Sequence, residues 1–393
     1  MRILVATTAN LGHFLPTVAL ARACAAAGHE VRVAAPGSFA PAVAGAGLAF
    51  APVGDPDPAE IGRTFGSIAH LPMMERDARV VADVFGRIDA RAALPAMSEL
   101  LDGFRPDLVL RDPAEIASLV AAEVRGAPHA TVAIGTTSML GLFAERLAEP
   151  LAEFEAEHGL AAGRLTGAAA AAPRFTRVPA SFDDPPAASD PTVVRFRDGD
   201  ADAVPEAAPL PEWGDAGAPL VYVSFGTVAG NFPDAGDRYR RALDGLADVP
   251  VRVLLTTGSG FDPEALRPWP GNALVERWRP QAEVLPHAAA VVGHGGFGTT
   301  TAALAAGLPQ VVVPLFAFDQ HLNAERVADR GVGVRVADGP ELAHGLREAV
   351  ASVLGDPEVA ATARRVADEM AALPTAPEVV PGLLAVAAGR ADA

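Results

Sequence analysis

The sequence predicts an α/β protein of two doubly wound, Rossmann-like parallel-sheet domains that face each other across a cleft. Its 393 residues are a natural length for two domains, since one domain usually takes roughly 100–200 residues. Short, fully apolar runs alternate with segments of helical spacing, a pattern typical of parallel sheets covered on both faces. The alternation occurs twice, on either side of an irregular stretch rich in Pro, Asp, Ala and Gly between residues 173 and 219.

The first half of the chain begins as strand, loop, helix and strand. Apolar residues recur at helical spacing from Pro16, which suits the first turn of a helix, and Gly28 ends that helix. A polar break at residues 10–14 precedes it. The strands predicted here cover residues 2–7, 30–35, 107–110 and 130–134. We therefore expect an N-terminal domain over residues 1–200.

The second half repeats this plan. The strands predicted here cover residues 220–225, 251–256, 273–277, 290–293 and 310–315. We expect a linker over residues 201–217 and a C-terminal domain over residues 218–372. The Ala-rich residues 373–393 predict a final helix, which either packs on its own half or crosses back to the N-terminal domain.

Composition excludes several classes of partner and site. Acidic residues outnumber basic ones 48 to 31, for a formal net charge of -17, so we expect no nucleic-acid partner. The single cysteine, Cys24, rules out an intrachain disulfide and a Cys-rich metal site. The first apolar run is too short for a signal peptide, and no later stretch has the length of a membrane span. We expect a cytoplasmic protein.

Two strand-end loops of the second half have the composition of a phosphate site. His294-Gly295-Gly296-Phe297-Gly298-Thr299 joins a strand to a helix, and such glycines expose backbone N–H groups at the positive end of the helix. Ser224-Phe225-Gly226-Thr227 follows the first strand of this half. The two loops suit opposite faces of one diphosphate. Either loop is also compatible with a plain turn that binds nothing.

Three further residues follow strands of the same half. Asp319 and Gln320 offer carboxylate and amide groups to sugar hydroxyls. Alternatively, Asp319 caps a helix that begins near Asn323. Trp278 presents an indole face that suits a nucleobase, although a Trp is more often part of the core.

His13 and Asp112 follow two strands of the first half. An imidazole at a strand end is suited to act as a general base near neutral pH, with a carboxylate to orient it. The alternatives are a structural histidine and an Asp112 that caps a helix starting at Pro113.

An apolar segment from Phe65 to Phe85 is a candidate lid over a hydrophobic ligand. The residues predicted to contact such an acceptor are Phe65, Leu71, Met73, Met74, Phe85, Ile134, Met139 and Phe143. Each is also compatible with a place in the core.

Taken together, the motifs resemble the inverting family 1 glycosyltransferases of GT-B fold, in particular the actinobacterial enzymes that decorate antibiotics and other natural products. The matching residues are Gly12-His13-x-x-Pro16, Gly28-His29-Glu30-Val31, Trp278-x-Pro280-Gln281, Leu285, His294-Gly295-Gly296-x-Gly298-Thr299-Thr300, Gly307-x-Pro309, Pro314, Asp319-Gln320 and Asn323-Ala324. The resemblance covers essentially the whole chain. It implies transfer of a sugar from a nucleotide-sugar donor to a hydroxyl of a hydrophobic acceptor, with inversion.

The resemblance also implies a role for each candidate residue. His13 is then the catalytic base and Asp112 its orienting partner. Asp319 and Gln320 bind the sugar. The nucleotide and its diphosphate are bound by Ser224, Gly226, Thr227, Trp278, Arg279, Gln281, His294, Gly295, Gly296, Gly298 and Thr299. No metal and no resident cofactor is required, because donors around the diphosphate stabilise its departing charge.

One departure from the family pattern bears on the donor. UDP-sugar-using relatives commonly carry a ribose-binding Glu eight residues after the motif histidine, and this chain has Ala302 there. Thymidine lacks the 2′-hydroxyl, so a dTDP-sugar, expected to be a deoxysugar, is the predicted donor and a UDP-sugar the alternative. A sugar-nucleotide epimerase and a non-catalytic auxiliary protein are rival functions. A homodimer is compatible with the sequence.

Overall fold

The structure, a computed structural model, describes residues 1–184, 189–199 and 209–389. These residues form two compact units. The first contains the described residues up to 199 together with residues 373–389, and the second contains residues 209–372. Within the predicted linker, residues 201–208 lie outside the described residues. Leu210 and Trp213, in the remainder of that segment, pack on the core of the second unit.

The first unit has a seven-stranded parallel sheet in the order β3-β2-β1-β4-β5-β6-β7. Its strands are β1 (Arg2–Ala6), β2 (Glu30–Pro36), β3 (Ala49–Val53), β4 (Leu108–Arg111), β5 (His129–Val132), β6 (Arg174–Thr176) and β7 (Val193–Arg195). Its helices are α1 (Leu11–Ala26), α2 (Ala40–Gly45), α3 (Pro58–Ile68), α4 (Met73–Arg79), a π-helix (Val80–Asp89), α5 (Ala90–Phe104), α6 (Ile116–Arg125), α7 (Thr137–His158), α8 (Arg164–Ala171) and α15 (Ala376–Ala387), with a 3₁₀ turn at Gly37–Phe39.

The central strand β1 is apolar on both faces because helices cover both sides of the sheet. Ile3 and Val5 pack in a cluster with side chains of α1 and α15. Leu4 and Ala6 pack on the opposite face with side chains of α5 and α6. The four strands predicted in this half are confirmed to within two residues at each end.

Two expectations for this half are wrong, and one of its strands has no sequence signal. Helix α1 begins at Leu11, five residues before Pro16, because the Asn10 side chain accepts a hydrogen bond from Gly12 N–H and caps it. Strands β6 and β7 lie in the stretch expected to be irregular. No sequence pattern predicts strand β3, which lies at the edge of the sheet and contains a proline.

Helix α15 follows the second unit in the chain but belongs to the first. It packs against α1, β4 and β5. Val379, Val380 and Leu383 are buried in the same cluster as Ile3 and Val5. Burying one such side chain stabilises a fold by roughly 1.5–3 kcal/mol, so α15 is an integral part of the N-terminal core.

The second unit has a six-stranded parallel sheet in the order β10-β9-β8-β11-β12-β13. Its strands are β8 (Leu220–Ser224), β9 (Arg252–Thr256), β10 (Ala273–Glu276), β11 (Ala288–Gly293), β12 (Gln310–Val312) and β13 (Gly333–Arg335). Its helices are α9 (Ala235–Leu246), α10 (Gln281–Val284), α11 (Phe297–Ala305), α12 (Phe318–Asp329), α13 (Leu342–Gly355) and α14 (Pro357–Ala371), with 3₁₀ turns at Ala229–Asn231, Pro263–Leu266 and Leu285–His287. The five strands predicted here are confirmed, and β13 is additional.

The carboxyl ends of β8 and β11 lie side by side in this sheet. Gly293 is the register partner of Ser224. The two loops predicted to form a phosphate site therefore start from neighbouring strand ends, where open α/β sheets bind ligands. In the described part of the chain, no helix is both long and apolar enough to cross a membrane.

Candidate active site

His13 and Asp112 are hydrogen-bonded to each other in the first unit. His13 lies in the first turn of α1, and its Nδ1 is 3.0 Å from Oδ1 of Asp112. Asp112 directly follows β4 and is fully buried. Thr7 Oγ1 and Thr8 N–H donate to its Oδ2 at 3.2 and 3.1 Å. Residues that directly follow β1 and β4 thus supply Asp112 and its support, and the first turn of α1 supplies His13.

The environment of Asp112 keeps its carboxylate ionised. Burial alone would raise the pKa of Asp112, but the adjacent His13 and hydrogen bonds from the backbone of Thr8 and Ala114 lower the pKa below its ordinary value. An ionised carboxylate accepts the Nδ1–H of the imidazole, which fixes the tautomer with its lone pair on Nε2. The pair therefore has the chemistry of a general base and its orienting group.

The alternative role for Asp112, as the cap of the next helix, is wrong. Helix α6 begins at Ile116, and its capping side chain is Glu115, which accepts from Ser118 N–H at 2.8 Å. Asp112 Oδ1 does accept from Ala114 N–H at 2.7 Å. That hydrogen bond closes a turn before the helix and leaves the carboxylate facing His13.

Two aromatic rings extend away from the imidazole. The centroid of the Phe85 ring lies 5.4 Å from that of His13, and Phe143 stacks on Phe85 at 6.3 Å. The sequence predicts that both phenylalanines contact an apolar acceptor. The structure brings them together beside the proposed base, Phe85 from the π-helix and Phe143 from α7.

The other predicted acceptor residues differ in how exposed they are to solvent. Phe65 and Met74 are exposed on α3 and α4, while Leu71 and Met73 are half-buried. Ile134 and Met139 are buried. Met139 packs over Gly135, where a Cβ would come within 2.4 Å of its terminal methyl carbon. For Ile134 and Met139 the structure therefore matches the core alternative.

A further buried carboxyl group lies near His13 and Asp112, and sequence patterns do not identify it. Asp89 ends the π-helix, and its Oδ1 is buried with no hydrogen-bond partner in the described part of the chain. Burial and the nearby Glu115 raise the pKa of Asp89 to about 6. No sequence signal marks it, because its burial depends on how the π-helix packs.

In the second unit, the glycine-rich loop runs from β11 into α11. Gly295 has φ of +85°, and a Cβ there would lie 2.6 Å from the Gln320 carbonyl oxygen. Only glycine fits this position without displacing the backbone. Asn323 Nδ2 donates to the Gly295 carbonyl at 2.7 Å and holds the loop in place.

The His294 ring lies between two of the predicted glycines. A Cβ at Gly226 would come 2.6 Å from His294 Cε1, and a Cβ at Gly296 would come 2.4 Å from Nε2. Burial lowers the pKa of His294 to about 4, against an opposing hydrogen bond with the Ser224 backbone. The imidazole is therefore neutral at physiological pH, and its Nδ1 has no partner among the described residues.

The start of α11 has the properties of an anion site. Its N-cap is Gly296, which has no side chain to satisfy the first N–H groups of the helix. Those groups and the helix dipole favour a bound phosphate. Gln281 Nε2 donates to Thr299 Oγ1 at 3.0 Å, so two predicted nucleotide-binding residues meet there. Gly298 lies exposed in the same first turn.

Trp278, Thr227 and Arg279 differ in how open they are to a ligand. The Trp278 side chain is 65% exposed, and Thr227 is exposed as well. Arg279 instead forms a two-point ion pair with Glu276 at 2.6 and 2.7 Å. Its charge is therefore largely compensated within the protein.

Asp319 and Gln320 lie in the first turn of α12, which begins at Phe318. The suggestion that Asp319 caps a helix near Asn323 is therefore wrong. Gln320 is buried, and its Oε1 accepts from the N–H groups of Leu315 and Phe316 at 2.9 and 3.1 Å. Its amide closes the turn before α12. Within the described residues, no three His, Cys, Asp or Glu side chains are grouped to hold a metal ion.

Comparison with known proteins shows the family to which this chain belongs. The chain matches the erythromycin biosynthesis protein CIII-like family, its N-terminal domain over residues 22–182 and its C-terminal domain over residues 240–386. It is 33% identical to the L-demethylnoviosyl transferase of Streptomyces niveus, with 98% of each chain covered. It is 30% identical to the tylactone mycaminosyltransferase of Streptomyces fradiae, with 98% of this chain and 92% of the relative covered.

A solved structure agrees with these sequence relatives. The glycosyltransferase VinC in complex with dTDP superposes with a TM-score of 0.75 at 26% identity, over 99% of this chain and 100% of its own. The likeness extends over both units. This chain therefore belongs to the erythromycin biosynthesis protein CIII-like family and is a natural-product glycosyltransferase of GT-B fold, which transfers a sugar to an aglycone.

Proposed function

We propose that the enzyme transfers a deoxysugar from a dTDP-sugar to a hydroxyl of an apolar aglycone, with inversion at the anomeric carbon. His13 Nε2 takes the proton of the acceptor hydroxyl as its oxygen bonds to the anomeric carbon. The bond from that carbon to the diphosphate breaks, and dTDP leaves with the electron pair. The observation that carries this proposal is the 3.0 Å contact between His13 and the ionised Asp112.

The second unit supplies the donor site in this proposal. The uncapped N–H groups of α11, with Ser224, Thr227 and the neutral His294, stabilise the negative charge that develops on the diphosphate. The exposed indole of Trp278 stacks on the base, and Gln281 contacts the pentose. Asp319 holds the sugar hydroxyls, while Gln320 shapes the turn beside it.

Two observations support dTDP over UDP as the nucleotide. Ala302, the position at which UDP-using relatives commonly carry a ribose-binding carboxylate, is a half-buried alanine on α11. VinC, a structural neighbour, has been solved with dTDP bound. Without a carboxylate at residue 302, the 2′-hydroxyl of the UDP ribose has no acidic side chain to bind at this position. The deoxyribose of dTDP, which lacks that hydroxyl, therefore forms no fewer contacts there.

Thermal-shift binding of dTDP and UDP at equal concentrations tests the donor. A ligand specific for the folded state raises Tm by mass action. We expect a larger shift with dTDP, and Ala302→Glu to move the preference toward UDP. A larger shift with UDP in the wild-type enzyme would refute the dTDP assignment and leave the transferase intact.

Replacement of His13 by Ala tests the base. We expect transfer to fall by about 10²–10⁴-fold, the usual contribution of a general base, while the dTDP-induced shift in Tm stays unchanged. Full transfer by His13→Ala would exclude His13 as the base. If the wild-type chain bound neither nucleotide and transferred no sugar, an auxiliary role would replace the catalytic one.

A further inference from the structure

A cavity of about 210 Å³ lies within the first unit, between the sheet and helices α7 and α8. One wall is polar and consists of Arg111, Thr131 and Arg174. These three residues are register partners across β4, β5 and β6, so they form a straight row on one face of the sheet. The facing wall is apolar and includes Phe143 and Leu147 of α7.

The polar row has hydrogen-bonding capacity that the protein leaves unused. Thr131 is only 7% exposed, and its Oγ1 has no hydrogen-bond partner in the described part of the chain. Arg174 Nη1 donates to Thr137 Oγ1 at 3.0 Å. Leaving a buried hydroxyl without a hydrogen-bond partner is unfavourable. The row is thus arranged for an acceptor that the chain itself does not supply.

The row carries two positive charges, and the negative charges of Glu115 and Asp112 act on one of them, Arg111. Arg111 is 2% exposed, and its Nε and Nη2 donate to the backbone carbonyls of Glu115 and Pro113 at 3.1–3.3 Å. The Glu115 carboxylate is engaged by Ser118 N–H. Among the described residues that line the cavity, two are arginines and none is acidic.

Phe143 connects this cavity to the catalytic pair. Its ring lines the cavity and stacks on Phe85, whose ring lies next to His13. A flat ligand in this cavity would therefore place its apolar rings against Phe143. Phe143 stacks on Phe85, and Phe85 lies beside the proposed base. Cavities of about 150 Å³ hold a benzene ring, so the volume here suits a group of one or two rings.

We propose that this cavity binds an acidic group of the aglycone, a carboxylate on an aromatic ring, through Arg111, Thr131 and Arg174. The inference rests on the proposed function, because it takes the cavity as part of the acceptor site. A carboxylate has two oxygens that accept from two guanidinium groups and one hydroxyl. The apolar wall receives the ring, and the acid determines which aglycones bind tightly.

Binding of two matched probes to the full chain tests the proposal. The probes are 6-hydroxy-2-naphthoic acid and its carboxamide, which share shape and hydroxyl but differ in charge at neutral pH. Isothermal titration without donor should give an affinity at least about tenfold higher for the acid, as charge-assisted hydrogen bonds predict. Arg174→Met should reduce this ratio to near one, and Thr131→Val should reduce it severalfold.

The control is Arg32→Met, which removes an arginine from β2, outside the cavity. It should keep the wild-type ratio. Each variant is checked by its thermal unfolding, and Arg111 is left unchanged because it is too deeply buried for a clean substitution. Equal affinities for acid and amide in the wild-type chain, or an unchanged ratio in folded Arg174→Met, would overturn the proposal.

Two further measurements separate this inference from the proposed function. Sugar transfer to the uncharged 2-naphthol and the dTDP-induced shift in Tm report on the proposed function without the carboxylate, and both should persist in the control Arg32→Met. If both fail in the wild-type chain, the proposed function is wrong whatever the probes do. If both succeed while acid and amide bind alike, the carboxylate site alone is wrong.

Discussion

His13 Nδ1 and Asp112 Oδ1 lie 3.0 Å apart although ninety-nine positions separate the two residues in the chain. They meet because β1 and β4 are neighbours in the sheet and end at the same edge. Thr7 and Thr8, at the end of β1, hold the second carboxylate oxygen. The orientation of the imidazole is therefore set by three strand-end residues and not by α1 alone.

Asp112→Asn should abolish most of the activity without preventing donor binding. An amide can donate to Nδ1, which would favour the tautomer with its proton on Nε2, where the base needs a lone pair. We expect kcat to fall by about 10²–10⁴-fold. The measurement is single-turnover transfer, with dTDP binding as the check on the second unit.

The matched control for that variant is Asp107→Asn. Asp107 lies just before β4, at its amino end, and its carboxylate accepts from Arg2 N–H at 2.7 Å. It should lose stability but keep kcat. Equal losses of kcat in the two variants would mean that Asp112 acts only through folding.

Gly226→Ala should weaken dTDP binding by displacing the His294 ring. The backbone at Gly226 has φ of +81°, and an added Cβ would approach His294 Cε1 to 2.6 Å. We expect a loss of about 1–3 kcal/mol in unfolding free energy from the strained backbone and at least about tenfold in dTDP affinity. Gly271→Ala, where a Cβ meets open space, should change neither quantity. Unaltered affinity in Gly226→Ala would separate His294 from the nucleotide.

Trp278→Ala should reduce nucleotide affinity while leaving stability unchanged. The side chain is 65% exposed, so its removal takes little from the core. Stacking of a base on an aromatic ring contributes about 1–3 kcal/mol, which corresponds to roughly 5–150-fold in Kd for dTDP. Trp278→Phe should retain part of the affinity, and a Kd for Trp278→Ala equal to the wild-type value would place the base elsewhere.

Asp89→Asn should stabilise the fold at neutral pH but not in acid. Because the pKa of Asp89 is raised to about 6 in the folded chain, the folded state holds its proton more tightly than the unfolded state. The stabilisation that comes from this tighter proton binding is complete below about pH 4, near the ordinary pKa of Asp. It is lost as the pH rises to about 6. The variant should therefore exceed the wild type by up to about 3 kcal/mol at pH 7.5.

Chemical unfolding of both proteins at pH 4 and pH 7.5 measures this difference. Asp237→Asn, which changes an exposed carboxyl group in the second unit, should give no such pH-dependent gain. A difference between Asp89→Asn and wild type that is the same at both pH values would argue against a protonated Asp89.

The strands that could be predicted are those whose own residues are apolar on both faces, such as β1 and β8. Strands β6 and β7 have three residues each. Strand β6 is fixed by its register with β5 and β7 by its register with β6, which no local pattern encodes. The sequence predicts the start of α1 five residues too late, because Pro16 suits the first turn of a helix. A proline inside a helix removes one hydrogen bond, and its ring crowds the carbonyl four residues earlier. Helix α1 nevertheless runs through Pro16 from its cap at Asn10.

The candidate site likewise contains residues that local sequence patterns identify and residues that only distant contacts bring together. His13 and Asp112 could be found because each follows a strand, and parallel strands end at one edge of a sheet. Asp89 and the row of Arg111, Thr131 and Arg174 could not be found in this way. The burial of Asp89 depends on the packing of a π-helix, and the alignment of the row depends on the register of three strands. Contacts between distant segments of the chain set both.

Helix α15 has a consequence for how the protein is made. Its residues leave the ribosome after the whole second unit, yet Val379, Val380 and Leu383 complete the core around β1 and α1. Until then, the apolar face of α1 that they cover is open to water or to other chains. The second unit can therefore complete its own sheet first, and the first unit, which carries His13, completes its folding last.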